Sequence, residues 1–150
     1  MSNQQAVFIV AAILAGSFLP VQAGLNAELG NAVKHPIFAA FASFAVGTVV
    51  LFAYLMLSGF SFKKVGAALS APPVVWMAGL LGAFYVSAII ILAPKLGTAL
   101  TFSLIVLGQM STSLILDHFG LLGLPVQPVN WTRLLGALCL VAGVVLIRRF

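Results

Sequence analysis

Two amide side chains lie inside the first long apolar segment of the chain. Gln22 and Asn26 are four residues apart, so on a helix both amides point to the same side, one turn from each other. Pro20 comes just before them and cannot donate a backbone hydrogen bond, which leaves a carbonyl free to kink or open the helix. An unsatisfied amide in hydrocarbon costs several kcal/mol. Both residues are therefore candidates for a polar, water-accessible pocket.

A second set of polar residues follows 3-and-4 spacing along the fourth apolar segment and predicts one continuous stripe: Thr98, Thr101, Gly108, Gln109 and Thr112. Gln109 is expected about half-way across the bilayer. We predict one substrate-binding pocket, lined by Gln22, Asn26, Thr101, Gln109 and Thr112. The alternative is that these side chains only hydrogen-bond neighbouring helices, where each contributes about 0.6 kcal/mol.

The acidic residues and histidines are few: Glu28, His35, Asp117 and His118. Asp117 and His118 close the fourth segment, and Arg133 opens the fifth on the same side of the membrane. We predict an ion pair between Asp117 and Arg133, with His118 beside it, that ties the helix ends together and opens as a gate. A proton relay is the alternative. Glu28 falls on another side of its helix than the two amides and is expected to end a span.

No group of His, Cys and carboxylate residues in the sequence has the spacing of a metal site. The single cysteine, Cys139, lies inside the last apolar segment. Neither a phosphate-binding glycine loop nor a nucleophile elbow occurs in the sequence. We therefore expect no metal, no cofactor and no enzyme activity.

Apolar residues make up 63% of the 150 residues and charged residues only 6%, which leaves no room for a soluble domain. Five uncharged apolar segments are each long enough to cross a bilayer as a helix: about 6–25, 37–57, 74–92, 99–116 and 131–147. The apolar runs are continuous rather than alternating, so helices are expected rather than a barrel. The predicted fold is a single all-α transmembrane domain over residues 1–150, surrounded by the lipid bilayer.

Basic residues are spread along the chain without a cluster, so the net charge of +5 does not indicate nucleic-acid binding. Alternating spans place Lys63, Lys64 and Arg133 on the N-terminal side, and Lys34, Lys95, Arg148 and Arg149 on the other. Three basic residues on one side of the membrane against four on the other give the chain no preferred orientation. We expect insertion in both directions and an antiparallel homodimer of ten helices, with its two-fold axis in the membrane plane, as in inverted-repeat transporters.

Small residues recur at helical spacing where helices are expected to touch: Ala39, Ser43 and Gly47 on the second segment, Gly79 and Gly82 on the third, and Gly136 and Gly143 on the fifth. Such residues let helix backbones approach closely in a membrane. We expect tight helix contacts within one chain at most of these positions. The alternative is that some of them form the seam of the dimer.

Several motifs together resemble the bacterial YdcZ-like inner-membrane exporter family. They are Pro20–Ala27 in the first segment, Phe44–Thr48 in the second, Trp76, Gly79, Gly82 and Tyr85 in the third, and Gly108, Gln109 and Asp117–Gly120 in the fourth. The resemblance covers essentially the whole chain. It implies a half-size, five-span member of the drug/metabolite transporter superfamily, whose full-length relatives contain two inverted five-helix halves.

The resemblance implies a small-molecule transporter of the bacterial inner membrane that works as a pair and moves an unidentified solute by alternating access. The chain departs from the related small multidrug exporters, which place a coupling carboxylate in the middle of the first span, because residues 12–18 contain none. This departure argues against proton-coupled export of cationic drugs. A dual-orientation channel lined by the Thr and Gln stripe and a non-transporting membrane interaction protein are the alternatives.

Overall fold

The structure, a computed structural model, describes residues 2–149 apart from the side chain of Lys64. Its α-helices are α1 (Asn3–Ala32), α2 (Pro36–Leu57), α3 (Val65–Leu69), α4 (Met77–Leu96), α5 (Thr98–Phe119) and α6 (Trp131–Arg149). Short 3₁₀ turns lie at Phe62–Lys64, Pro73–Trp76 and Leu121–Gly123. Five of the helices, α4 together with the turn before it, are long and apolar enough to cross a membrane. The predicted all-α fold with five candidate spans is confirmed.

The helices extend beyond the predicted apolar segments because polar residues at their ends satisfy the backbone. Ser2 caps α1 by a reciprocal pair of hydrogen bonds with Gln5. With 30 residues α1 is about 45 Å long, more than the roughly 30 Å of a bilayer core. α1 also continues through Pro20 as one α-helix, so the helix does not end there, and a kink at this proline stays a prediction.

The connection between α4 and α5 is shorter than the gap between the predicted apolar segments 74–92 and 99–116. α4 includes Pro94 and ends at Leu96, and the left-handed Gly97, with φ of +82°, alone separates it from α5. The chain forms two compact units, the first ending at Pro94 and the second beginning at Lys95. The first unit contains α1 to α4, and the second contains α5 and α6.

In the first unit, the C-terminal half of α1 packs against the start of α2 and the end of α4. Ala39 and Ala40 of α2 and Ile90 of α4 form a small buried core, with Val86 beside it. A Cβ on Gly30 would lie 3.3 Å from the Pro36 Cα, so the close approach of α1 to α2 favours a glycine there. By contrast, the α1 residues from Val7 to Phe18 are exposed.

In the second unit, α5 and α6 pack together and the loop between them folds back onto the helix ends. Gly120 ends α5 in the left-handed conformation, with φ of +59°. A Cβ at this position would lie 2.6 Å from a Val126 methyl carbon, so both the backbone and the packing require glycine. Asn130 caps α6, as its Oδ1 accepts a hydrogen bond from the Arg133 backbone N–H at 2.9 Å.

Candidate functional site

A groove of about 240 Å³ lies between α1, α2 and α4 in the first unit. Its lining combines polar and apolar side chains: Gln22 from α1, Ser43, Phe44, Gly47, Thr48 and Leu51 from α2, and Val86 from α4. The helices that supply these residues are all candidate membrane spans. The groove therefore presents hydrogen-bonding groups at a depth where lipid offers none.

Gln22 is held at the groove by a long hydrogen bond to the second helix. Its Nε2 donates to Ser43 Oγ at 3.4 Å, longer than the usual 2.7–3.2 Å of an N–H···O bond. An amide can donate two hydrogen bonds and accept two, so this contact leaves most of the Gln22 capacity unused. Gln22 is also exposed. Its side chain is therefore free to bind a molecule in the groove.

A smaller cavity of about 10 Å³ lies on the other side of Gln22 and Val86, against Leu19, Ala23, Asn26, Ile89 and Ile90. This volume is about the minimum that holds one water molecule. Asn26 is 8% exposed. The structure thus brings Gln22 and Asn26 together along this cavity, as the four-residue spacing predicts.

Two further contacts fix the shape of the groove. The Phe44 ring lies against Gly82 of α4, since a Cβ on that glycine would be 3.6 Å from the ring. Thr48 Oγ1 donates to the Phe44 carbonyl at 2.8 Å, so its hydroxyl hydrogen is already used within α2. Phe44 therefore forms an apolar wall, while Gln22 and Ser43 provide the polar groups.

The small residues differ in what they pack against. Ala39 is fully buried at 0% exposure, and Ser43 and Gly47 are partly buried beside the groove. Gly82 contacts Phe44. At Gly47, Gly79, Gly136 and Gly143 a Cβ would meet no atom within 4 Å beyond the chain neighbours and backbone of its own helix, among the described residues. The tight packing expected at these four glycines is thus not made within the described part of the unit that contains each of them.

The polar stripe on α5 belongs to the second unit. Thr101 is 1% exposed, and its Oγ1 donates to the Gly97 carbonyl at 2.8 Å. Gln109 and Thr112 are exposed, and neither side chain hydrogen-bonds to another described residue. The predicted pocket that combines this stripe with Gln22 and Asn26 stays a prediction, because the two sets of residues lie in different units.

The second unit also carries a groove between α5 and α6, with a volume of about 300 Å³. Its lining is mainly apolar: Phe102, Ser103 and Val106 of α5, and Cys139, Leu140, Gly143, Val144 and Ile147 of α6. Ser103 Oγ donates to the Ala99 carbonyl at 2.8 Å, so its hydroxyl hydrogen is used within the helix. This groove lacks the free amides of the first unit.

An ionic cluster joins the ends of α5 and α6. Arg133 Nη1 donates to Asp117 Oδ2 at 3.3 Å and to the Gln127 carbonyl at 3.0 Å, and Nη2 donates to Gln127 Oε1. The predicted ion pair between Asp117 and Arg133 is present, and both side chains are about one-third exposed. The loop is tied in further, because the Gln127 backbone N–H donates to the Asp117 carbonyl at 2.8 Å.

The His118 side chain contacts the loop between α5 and α6 rather than the ion pair. Its Nδ1 accepts a hydrogen bond from the Val129 backbone N–H at 3.1 Å, and its ring packs edge-on against Phe119. His118 therefore holds the returning loop. Across residues 2–149, the His, Cys, Asp and Glu side chains form no group of three that could hold a metal ion.

The sequence matches the family described as "Putative inner membrane exporter, YdcZ" over residues 7–146. The chain belongs to this family. The match includes both units and nearly all of the chain, so the resemblance inferred from the motifs is confirmed, and the protein is placed in the inner membrane. Comparison with curated proteins and with solved structures gave no match.

In this exporter-family chain, sequence reasoning missed three residues that bear on the polar regions. Ser43 was assigned to helix packing, yet it also holds Gln22. Gln127 lies in a loop without periodicity, and no sequence signal points to its contact with Arg133. The Tyr85 hydroxyl of α4 is buried and has no hydrogen-bond partner in the described part of the chain. A tyrosine inside an apolar segment was a signal that could have found it.

Proposed function

We propose that this protein transports a small molecule across the inner membrane by alternating access, and that the first-unit groove is part of its substrate site. The observation that carries this proposal is the groove itself, where Gln22 and Ser43 face open space between membrane-spanning helices. Membership of an exporter family supports a transport function. The polar groups are placed where they can replace part of the water around a solute.

We propose further that two copies work together as an antiparallel homodimer. An odd number of spans puts the two ends of the chain on opposite sides of the membrane. An inverted second copy would turn a groove that opens to one side into a pair of grooves related by a two-fold axis in the membrane plane. The balance of three basic residues against four supports insertion in both orientations.

The same arrangement gives a role to the polar stripe of α5. We propose that Thr101, Gln109 and Thr112 complete the site with Gln22 and Asn26, either within one chain or across the dimer. Gln109 and Thr112 are exposed and lack hydrogen-bond partners among residues 2–149, which favours a role toward another molecule. The cluster of Asp117, Arg133 and Gln127 would then act as a gate that opens and closes at the helix ends.

Topology mapping tests the dimer. A cysteine in an added N-terminal tag, in a Cys139→Ala background, should be about half protected from a membrane-impermeant reagent. Two or three lysines added to the loop at residues 58–73 should fix one orientation and abolish transport. Co-expression of a copy with the opposite bias should restore it. Labelling of the unmodified protein from one side only would contradict the antiparallel homodimer.

Flux measurements test transport. Purified protein in liposomes should exchange a labelled solute for its unlabelled form, at rates that saturate with concentration. A channel would instead pass solute orders of magnitude faster without exchange between the two pools. An interaction protein would give no flux and would copurify with another membrane protein.

A further inference from the structure

We propose that the first-unit groove binds an uncharged molecule with a hydrogen-bonding head and a flat apolar body. The head would lie at Gln22, and the body would lie along Phe44, Leu51 and Val86. This inference rests on the proposed transport function and assigns the chemical class of the substrate.

The polar head is indicated by Gln22. Its amide makes one long hydrogen bond, to Ser43 Oγ at 3.4 Å, so most of its capacity to donate and accept is left for a ligand in the groove. A hydrogen bond between uncharged groups contributes about 0.5–1.5 kcal/mol. Because an amide both donates and accepts, the matching ligand group also does both, as a primary amide does.

The apolar body is indicated by the larger groove. The Phe44 ring, held against Gly82, offers a flat aromatic surface, and Leu51 and Val86 complete the wall. An apolar cavity of about 150 Å³ is large enough to bind benzene. The groove volume of about 240 Å³ therefore accommodates a ring that carries a small polar substituent.

The uncharged lining of the two cavities excludes a ligand with an ionic head group. None of the side chains that line either cavity among residues 2–149 is ionisable. The acidic residue of α1, Glu28, is exposed and lies about 160° around the helix from Asn26. Moving an unpaired ion out of water into such a site costs several kcal/mol.

Three probes of equal size and different charge test this assignment. Benzamide, benzoate and benzamidinium are added separately to the purified full-length protein in lipid nanodiscs, and the melting temperature is recorded against concentration. Benzamide should stabilise the protein, with an affinity at least about a hundredfold above that of either ion. Equal or tighter binding of an ion, or no stabilisation by any of the three, would overturn the assignment.

Two variants locate the binding. Gln22→Leu should weaken benzamide binding about tenfold, whereas the control Asn31→Leu, at an exposed position of the same helix, should not change it. Gln22→Glu changes an exposed residue, so folding should be kept. This variant should lose benzamide and gain benzamidinium binding. Unchanged probe selectivity in Gln22→Glu would place the ligand elsewhere.

Solute flux, measured with the same protein in liposomes, tests the transport function independently of the proposed binding site. Saturable benzamide exchange in liposomes together with selective benzamide binding supports both. Selective binding without exchange supports the neutral site and contradicts transport. Exchange of a charged probe would support transport and contradict the neutral site.

Discussion

At the ends of α5 and α6, Arg133 is bonded to the Asp117 carboxylate and to both the backbone and the side chain of Gln127. Inside α1, the Gln22 amide makes one long hydrogen bond, to Ser43. The charged pair at the ends of α5 and α6 is therefore satisfied by the chain itself, whereas the Gln22 amide is left with free capacity.

The difference has a physical reason. Arg133 and Asp117 are about one-third exposed, so water competes for them and a local network is enough to hold the helix ends. An amide inside a span cannot form hydrogen bonds with bulk water. Each missing hydrogen bond therefore costs free energy until another molecule provides one. Unpaired amides in spans thus indicate ligand binding, and paired charges at span ends indicate structure or gating.

The largest effect is expected from Gln109→Leu, which tests whether the stripe on α5 belongs with the free amides. Benzamide affinity should fall about tenfold, while the free energy of unfolding should change by less than about 1 kcal/mol, because the exposed Gln109 has no hydrogen bond within the described chain. Ser111→Ala is the control on the same helix, since the Ser111 hydroxyl donates to the Leu107 carbonyl. A variant that loses several kcal/mol of stability but keeps its affinity would make Gln109 a helix-packing residue.

A smaller effect, on stability rather than binding, is expected from Arg133→Leu. Loss of its bonds to Asp117 and Gln127 should lower the free energy of unfolding in detergent by about 1–2 kcal/mol. Benzamide affinity should stay within about threefold, because the change lies outside the first-unit groove. Arg148→Leu, at an exposed position near the other end of α6, is the control. Equal destabilisation by both variants would contradict a specific role for the cluster.

Asp117→Asn perturbs the gate less than Arg133→Leu does, because the amide retains a hydrogen-bond acceptor for Arg133. Transport should slow by several-fold while benzamide affinity changes by no more than a few-fold. Turnover is measured as exchange in liposomes, and affinity as the shift in melting temperature. If proton-driven flux disappears while exchange stays intact, Asp117 couples transport to protons, and the assignment as a gate is wrong.

The smallest effect is expected from Ser43→Ala, which removes the partner of Gln22. The bond is long, and hydrogen bonds between membrane helices average about 0.6 kcal/mol, so the free energy of unfolding should fall by no more than this. The freed Gln22 should bind benzamide at least as well as before. A loss of several kcal/mol would mean that Gln22 is held for stability rather than left for a ligand.

Much of the fold follows from the sequence. Five uncharged apolar segments predict five spans, and the structure has five candidate spans at these places. The predicted pair of Asp117 with Arg133 is also present. These features are local or lie at neighbouring helix ends, so the length of the hydrocarbon core and the placement of charges at its surfaces are enough to predict them.

The tertiary structure decided what the helices present to each other. The four-residue spacing of Gln22 and Asn26 predicts a shared face, but not that Ser43 meets Gln22 or that the Phe44 ring lies on Gly82. The tertiary structure also decided that α1 approaches α2 most closely at Gly30, while Gly79 and Gly136 face open space within the described chain. The physical reason is that an apolar segment has no polar face that would indicate which side packs inward. Which residues meet depends on the rotation of each packed helix about its axis.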